Sequence, residues 1–347
     1  MLRERPSWLQ AGRCRSHAVI VSDGPAERRQ GALRVGTRGS PLAVAQTQAV
    51  SAAVARATGF DIELVTVTTH GDTSRESLSE LGGTGVFATA LRDALRNGEC
   101  DLVVHSLKDL PTAPAPGLVL GAVPKRADAR DTLCARDGLR FGELPEGASV
   151  GTGSPRRAAQ LRAQRPGLDI VDIRGNVDTR LSRVSAGDLD AVVLAAAGLG
   201  RLGRLDAATD FFSLSTMPTA PGQGALALEV REGDERGRGP IARALAAVDH
   251  ATTCAATTAE RAVLAGLEAG CAAPVGATAM IDDGLLFLTA TVYRPDGAAQ
   301  LTASHAATPD SFGAAHLDEA ARDVGERVVA ELLASGAADL APLKGLR

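Results

Sequence analysis

Short apolar runs alternate with longer segments of helical period along the first part of the chain. Residues 33–37 and 62–67 read as strands, and apolar side chains recur at helical spacing over residues 42–57 between them. The dipeptide Ser40-Pro41 is a typical helix start, and Gly59 suits the end of that helix. This order of strand, helix and strand predicts βαβ units around a largely parallel sheet.

The same alternation continues and is then repeated. A helix is predicted over residues 87–97, and a buried strand at 101–104 leads into the segment 105–109. A second series begins near residue 131, with strands at 149–150, 169–173 and 190–195 and helices over 156–164 and 177–186. The repetition predicts a second α/β domain with the same construction as the first.

One local pattern occurs once in each of these halves. In residues 35–41 and again in residues 150–155, a strand leads through a Gly-Thr turn to a Ser-Pro helix start. Each copy places a helix N-terminus, with its free N–H groups and positive dipole end, where an anion can bind. Two copies a domain apart predict two similar α/β domains, which commonly face each other across a cleft.

The pattern changes after Pro218. Residues 221–224 (PGQG) predict a tight turn before a strand at 225–230, and a charged, glycine-rich loop follows. From His250 onwards a third unit is predicted, with helices over 259–268 and 317–334 and strands over 275–280 and 285–293. Antiparallel strands with helices on one side make this unit a small α+β domain with a three-stranded antiparallel sheet.

These patterns define an α/β protein in four parts. The predicted parts are a disordered N-terminal extension (1–31), domain 1 (32–127 and 219–246), domain 2 (128–218) and domain 3 (247–347). The extension is rich in arginine and lacks the apolar core of a signal peptide. An organellar transit peptide stays open, although Glu4, Asp23 and Glu27 argue against it.

Composition excludes several classes of protein. The net charge of −4 and the 3% of aromatic residues count against nucleic-acid binding, which favours basic surfaces and stacking side chains. No apolar run reaches the length of about 18 residues that a membrane-spanning helix needs. The five cysteines are scattered without a CxxC pair, so neither a zinc site nor a disulfide framework is indicated. A reduced, cytoplasmic compartment follows as the expectation.

Arginines near the ends of predicted strands are the first candidates for chemistry. Two of them stand in the first turn of a helix, where a cation opposes the helix dipole unless an anion is bound. Guanidinium groups bind carboxylates through two parallel hydrogen bonds, which suits such an anion. The candidates are Arg38, Arg156, Arg157, Arg174, Arg180 and Arg201. The alternative is that they are solvated surface arginines in a chain that uses arginine for nearly all its positive charge.

Four further residues are candidates for chemistry, and each also has a simple structural explanation. Lys108 and Asp109 follow a strand, where open α/β sheets bind ligands, and a carboxylate beside an ammonium can stabilise a developing cation. They could also be a simple loop salt bridge. Asp72 follows another strand and could be an ordinary turn residue. Cys271 lies in a loop between helix and strand, and a lone cysteine is more often a small buried apolar residue than a reactive one.

Several short segments, taken together and in order, resemble the porphobilinogen deaminase family, also called hydroxymethylbilane synthases. The similarity runs from about residue 32 almost to the end of the chain. The segments are 34–43 (RVGTRGSPLA), 105–111 (HSLKDLP), 151–157 (GTGSPRR), 174–181 (RGNVDTRL), 221–225 (PGQGA), 258–262 (TAERA) and 268–271 (EAGC). Each segment is short, but the ordered set is specific.

The resemblance implies both a fold and an activity. It implies two domains like periplasmic binding proteins, a crossover back to domain 1 through the strand after Gln223, and a third domain that bears the cofactor. That cofactor is a dipyrromethane, made from the enzyme's own substrate and held by a thioether to Cys271. Four porphobilinogen molecules are joined to it head to tail with loss of ammonia, and water then releases hydroxymethylbilane. The chain would be a transferase of tetrapyrrole (haem) biosynthesis that needs no metal.

The resemblance also implies roles for individual residues. Asp109 is the catalytic carboxylate that stabilises the azafulvenium cation left by ammonia and shuttles protons. The six candidate arginines pair with the acetate and propionate groups of the pyrroles, and Lys108 contacts the cofactor. The remaining predicted cofactor- and substrate-binding residues are Ser40, Asp72, Thr152, Ser154, Asn176 and Gln223. One departure concerns the loop 79–85, where Glu80 and Thr84 replace lysines that many members carry, which leaves this loop the role of a mobile lid.

Two other classes of protein are weighed against the enzyme. A non-enzymatic protein that binds small anions would explain the paired turns and the arginines, but neither the third domain nor Cys271 in its loop. A nucleic-acid regulator would need a helix-turn-helix segment, which the sequence does not show. We therefore expect a monomer whose partner is porphobilinogen, without nucleic acid or membrane.

Overall fold

The structure, a computed structural model, describes residues 19–23, 31–67, 86–270 and 273–343. The strands of this part of the chain form three sheets, of six, five and three strands. The predicted α/β class and the small three-stranded antiparallel sheet are both confirmed. Within the described residues, no helix has the length and apolar character that crossing a bilayer requires.

The first sheet combines strands from two distant parts of the chain. Its strands are β1 (Val19–Asp23), β2 (Leu33–Arg38), β3 (Ile62–Val67), β4 (Leu102–Ser106), β5 (Leu118–Ala122) and β11 (Leu226–Arg231). The order across the sheet is β1-β3-β2-β4-β11-β5. The first four are parallel, and β11 runs antiparallel between β4 and β5. The return of the chain to the first sheet, which the resemblance implied, is confirmed.

Helices cover this sheet on both faces. They are α1 (Pro41–Thr58), α2 (Val86–Arg96) and α6 (Pro240–Val248). The hydroxyl of Ser40 accepts a hydrogen bond from the amide of Ala43 at 3.4 Å, and Gly59 ends α1 with a left-handed φ of 75°. Helix α6 packs on α1, and the sequence analysis did not assign it.

The second sheet repeats the construction on a smaller scale. Its elements are β6 (Asp131–Ala135), β7 (Ser149–Gly151), α3 (Pro155–Gln164), β8 (Asp169–Val171), α4 (Val177–Ser185), β9 (Ala191–Ala195), α5 (Ala196–Arg201) and β10 (Asp210–Phe211). The order is β10-β6-β9-β7-β8, and β7, β8 and β9 are parallel. Ser154 caps α3 as Ser40 caps α1, so the predicted helix start shared by the two halves is confirmed.

The third sheet is an antiparallel meander with two long helices against it. Its elements are α7 (Ala251–Gly266), β12 (Val275–Asp282), β13 (Leu285–Tyr293), β14 (Gln300–Ala307), α8 (Ala314–Ala334) and the short α9 (Ala337–Leu340). Helix α7 begins earlier than predicted because the ring of His250 accepts a hydrogen bond from the amide of Thr253 at 3.3 Å and caps it. Alanine, leucine and valine side chains fill the core between the sheet and these helices.

The prediction that residues 1–31 are disordered is wrong for one segment. The backbone of Val19–Asp23 pairs in parallel with β3 along its length and forms an edge strand of the first sheet. The reason lies in the run Val19, Ile20 and Val21, whose β-branched side chains favour a strand. Residues 1–18 and 24–30 of the predicted extension lie outside the described part of the chain.

Candidate active site

The carboxylate of Asp131 lies completely buried at the start of β6, where the chain enters the second sheet. Its Oδ2 accepts a hydrogen bond from Nη2 of Arg156 at 2.8 Å, and its Oδ1 accepts one from Nη2 of Arg157 at 2.6 Å. Burial alone would raise the pKa of Asp131, but the two guanidinium groups outweigh it and hold the pKa well below its usual range. The residue is therefore ionised at neutral pH.

Arg156 and Arg157 lie in the first turn of α3, as predicted, but they already have an anion. Both side chains are buried, and besides Asp131 they donate to the carbonyl oxygens of Pro218 (3.0 Å) and Val193 (3.2 Å), respectively. The anion expected opposite the helix dipole is thus supplied within the chain. Direct contact of these two arginines with a ligand stays a prediction, and the sequence analysis missed Asp131 altogether.

Gln223 connects this cluster to the first sheet. Its Nε2 donates to the carbonyl of Ala129 at 2.7 Å and to Oδ1 of Asp131 at 2.8 Å. Its Oε1 accepts from Nη2 of Arg157 and from Nζ of Lys108, each at 3.3 Å. Because both hydrogens of its side-chain amide are committed, Gln223 holds other residues in place, and its predicted contact with a ligand stays a prediction.

Lys108 and Asp109 lie in a single 3₁₀ turn, Leu107–Asp109, directly after β4. Leu107 and Leu110 are buried on either side, whereas Lys108 is half-buried and the side chain of Asp109 is exposed. Burial lowers the pKa of Lys108 to about 8, although the charge of Asp109 acts in the opposite direction. The turn therefore presents a carboxylate to solvent next to a lysine that is easily deprotonated.

Parallel strands bring the other predicted residues to the same edges of the two sheets. Arg38 is the last residue of β2 and Ser40 comes shortly after it. Because β2 neighbours β4 in parallel, the two residues share a sheet edge with Lys108 and Asp109. A hydrogen bond of 3.1 Å from Gln46 on α1 to Ser106 joins these two strand ends. The sequence analysis had no signal for Gln46, because a glutamine within a helix looks like a surface residue.

The second sheet carries an equivalent set after β7, β8 and β9. Thr152 is buried and its hydroxyl accepts from the amide of Ser154 at 3.2 Å. Asn176 caps α4 by accepting from the amide of Thr179 at 2.8 Å, so its predicted ligand contact stays a prediction. Arg174 is exposed and forms a weak pair with Asp172 at 3.4 Å.

Two arginines of this set have no carboxylate in a salt bridge within the part of the chain that the structure describes. Arg180 donates to the carbonyl of Gly175 at 2.9 Å, and Arg201 donates to that of Gly224 at 2.7 Å. Burial, with the positive charges of Arg157 and Arg174 nearby, lowers the pKa of Arg180 to about 10. Burial also lowers the pKa of Arg201. Half-buried cations without a salt bridge to a described carboxylate suit an anionic ligand.

Two predicted site residues, Asp72 and Cys271, lie outside the described residues, as does the loop 79–85. The rest of the predicted set lies at the carboxyl ends of parallel strands or in the segments that join the two sheets. An α/β protein with guanidinium and ammonium groups gathered at these positions belongs to the class that binds a polyanionic small molecule.

Comparison with known proteins narrows this class to one family. The profile described as "Porphobilinogen deaminase, dipyromethane cofactor binding domain" matches residues 33–238, and that described as "Porphobilinogen deaminase, C-terminal domain" matches residues 254–334. The porphobilinogen deaminase of Thermobifida fusca (strain YX) is 53% identical over 305 residues, which cover 88% of this chain and 94% of the relative. The porphobilinogen deaminase of Cutibacterium acnes is 52% identical over 334 residues, which cover 90% of this chain and 98% of the relative. The chain belongs to the porphobilinogen deaminase family.

The predicted family, enzyme class and dipyrromethane cofactor are thereby confirmed. The enzyme is a transferase that condenses porphobilinogen in tetrapyrrole biosynthesis. Among solved structures, the methionine-binding protein MetQ is similar at 12% identity and a TM-score of 0.41, covering 62% of this chain and 89% of its own. The periplasmic aliphatic sulphonate-binding protein SsuA of Escherichia coli is similar at 15% identity and a TM-score of 0.37. The match covers 69% of this chain and 71% of SsuA. The fold class rests on the sheets described above.

The Asp131 cluster predicts how stability depends on pH. The folded-state pKa of Asp131 lies below that of the unfolded chain, about 3.9. The contribution of ionised Asp131 to the free energy of unfolding is therefore fully present at neutral pH. It is lost as the pH falls through the pKa of the unfolded state and then that of the folded state. Replacing Asp131 by asparagine leaves two buried guanidinium groups without an anion, so we expect a loss of about 3–5 kcal/mol at pH 7.

The measurement is urea unfolding of the wild type and of Asp131→Asn at pH 7 and at acid pH. The variant should lose less stability on acidification than the wild type. Asp318→Asn, which removes an exposed carboxylate paired with Arg322 on α8, is the control and should stay close to the wild type. Equal stability of Asp131→Asn and the control at pH 7 would contradict this account of the cluster.

Proposed function

We propose that Asp109 is the catalytic carboxylate of this deaminase, that Cys271 carries its dipyrromethane cofactor, and that arginines at the carboxyl ends of the strands bind the carboxylates of the growing pyrrole chain. The observation that carries the proposal is the Leu107–Asp109 turn. It presents Asp109 at the strand edge shared by β2 and β4, and Lys108 and Gln223 link it to a cluster with excess positive charge.

The charges at the site fit this cofactor. A dipyrromethane made from two porphobilinogen units carries an acetate and a propionate on each ring. Arg180 and Arg201, without a salt bridge to any described carboxylate, would hold such groups, and Arg38 and Arg174 at neighbouring strand ends would hold others. When bound, the dipyrromethane supplies the pyrrole position to which the first substrate molecule is joined.

Asp109 acts on the substrate. When the carbon–nitrogen bond of porphobilinogen breaks and ammonia leaves, the pyrrole that remains carries a positive charge. The exposed carboxylate of Asp109 stabilises that charge, and it takes up the proton released when the new carbon–carbon bond forms. Lys108 contributes an ammonium group beside the carboxylate, held by Oε1 of Gln223.

We place the enzyme in the cytoplasm as a monomer acting on porphobilinogen, with the domain boundaries predicted above. Cys100, Cys134 and Cys254 are free thiols, which supports a reducing compartment. The strands of the three sheets, apart from β1, fall within the ranges proposed for the three domains.

Replacing Asp109 by asparagine tests its catalytic role. Because the amide keeps the size but loses the charge and the proton acceptor, we expect kcat to fall by about 10²- to 10⁴-fold. The measurement is porphobilinogen consumption per molecule of cofactor-bearing enzyme. Asp137→Asn removes an exposed carboxylate after β6 and should keep the wild-type kcat. A kcat for Asp109→Asn equal to that of this control would refute the role.

Lys108 predicts the pH dependence of kcat/KM. The pKa of Lys108, about 8, lies below the usual value of a lysine, so the ammonium is present below that pH and is lost above it. We expect kcat/KM of the wild type to fall as the pH rises through about 8. Lys108→Arg, which stays charged, should flatten this fall, whereas Lys125→Arg at an exposed position should leave it unchanged. The same alkaline fall in all three proteins would rule out Lys108 as its cause.

A further inference from the structure

The segment 258–262 of helix α7 has no part in the chemistry proposed above, yet it reaches two loops of the site. Its central residues, Glu260 and Arg261, are consecutive on the helix and so point about 100° apart. Glu260 contacts the loop 221–224, which contains Gln223, and Arg261 contacts the turn that contains Asp109. One helix of the third domain thus contacts both the loop that contains Gln223 and the turn that contains Asp109.

Glu260 fixes the first of these loops. Its side chain is fully buried, and Oε2 accepts a hydrogen bond from the amide of Gly222 at 2.7 Å. Arg126 binds the same carboxylate through two nitrogens, at 2.6 and 3.0 Å. The loop cannot shift without exposing or breaking this buried pair, which makes it a firm support for its neighbours.

Arg261 binds the backbone of the catalytic turn. Its Nη1 donates to the carbonyl oxygens of Leu107 at 3.2 Å and Leu110 at 2.7 Å, and its Nη2 donates to that of Pro111 at 2.8 Å. The turn itself is closed by one backbone hydrogen bond, from the amide of Leu110 to Leu107 at 3.2 Å. Because 3₁₀ turns are short and their hydrogen bonds poorly aligned, the three hydrogen bonds from the guanidinium are an important part of what holds this one.

Packing holds the turn on its other sides. The side chains of Leu107 and Leu110 are buried in a small core against which Cys254 of α7 also packs. Gly222 lies against the turn, since a Cβ at that position would come within 3.3 Å of the amide nitrogen of Lys108. The side chain of Asp109 is exposed between these supports. The backbone of the turn is therefore held in place by the small core, by the loop 221–224 and by Arg261.

We propose that Arg261 is a positioning residue, which fixes the turn of Lys108 and Asp109 to the domain that bears the predicted cofactor cysteine. This rests on the catalytic role proposed for Asp109. The third domain would then carry the predicted attachment point of the growing pyrrole chain. Through Arg261 it would also fix the position of the Asp109 carboxylate that acts on that chain. Since a displacement of about 1 Å can cost about 10²-fold in rate, loss of these contacts should lower kcat.

The experiment compares Arg261→Met with Arg162→Met. Arg162 of α3 also donates to a carbonyl of the third domain, that of Pro295 at 3.0 Å, but far in sequence from the turn. The Arg162→Met variant therefore shows how kcat responds when a contact with the third domain is weakened away from the turn. For both variants, kcat and KM for porphobilinogen are measured on enzyme whose intact mass shows the bound cofactor. The Leu110 amide donates the hydrogen bond that closes the turn, so its rate of hydrogen exchange measures directly how often the turn opens.

For Arg261→Met we expect kcat about 10- to 100-fold lower, KM changed by less than about threefold, and faster exchange at Leu110. Arg162→Met should keep kcat within about twofold of the wild type, as surface substitutions usually do. Arg261→Lys keeps the positive charge but lacks the planar guanidinium with its parallel N–H donors. Its kcat should lie between those of Arg261→Met and the wild type. If Arg261→Met does not fold, Arg261→Lys carries the same comparison.

Three results would overturn the proposal: equal kcat in Arg261→Met and Arg162→Met, a loss confined to KM, or unchanged exchange at Leu110. The failure of the underlying function is distinguishable from these. If Asp109→Asn keeps the wild-type kcat, the catalytic role of Asp109 fails, and with it the reason to position that residue. If Asp109→Asn loses activity while Arg261→Met keeps it, only the positioning role fails.

Discussion

A carboxylate buried between two guanidinium groups is stable only while all three charges stay together, and Asp131 is such a group. It lies where the chain first enters the second sheet, and its partners Arg156 and Arg157 open helix α3 of that sheet. Gln223, on the segment that returns to the first sheet, completes the cluster and reaches Lys108. This buried ionic cluster therefore links the two sheets near the site.

The charge balance of this cluster explains the electrostatics around it. One carboxylate faces two arginines, and Lys108 adds a third cation through Gln223. Burial keeps the pKa of Lys108 near 8, and the charges of Arg157 and Arg156 act in the same direction against those of Asp109 and Asp131. The net positive charge of the cluster favours anions at the adjoining strand ends. Arg180 and Arg201 form no salt bridge within the described residues and donate to backbone carbonyls. The arginines thus divide into a pair that is neutralised within the chain and others that we propose bind the ligand.

Much of this architecture could be predicted from the sequence, because it follows from periodicity and from the order of elements. The paired Ser-Pro helix starts, the parallel strands and the turn of Lys108 and Asp109 all have local signals. The return of β11 to the first sheet came from the resemblance, since no local pattern specifies which sheet a strand joins.

The parts that were missed depend on long-range contacts. Asp131 looks like any aspartate at the start of a strand, and its partners lie 25 and 26 residues away. Arg261 binds backbone carbonyls, whose positions no side-chain pattern encodes. The strand β1 was missed because its short β-branched run stands within an arginine-rich, polar segment. Local sequence therefore predicted the elements well, but it did not predict which buried polar groups hold them together.

We propose that Cys271 carries a dipyrromethane that the enzyme makes from its own substrate, and intact-protein mass spectrometry detects such an adduct. The wild type and Cys271→Ser are each weighed as purified and again after incubation with porphobilinogen. The account predicts an adduct of two linked pyrroles on the wild type and none on the variant. A wild type that stays unmodified with porphobilinogen present, or an adduct that persists on Cys271→Ser, would contradict it.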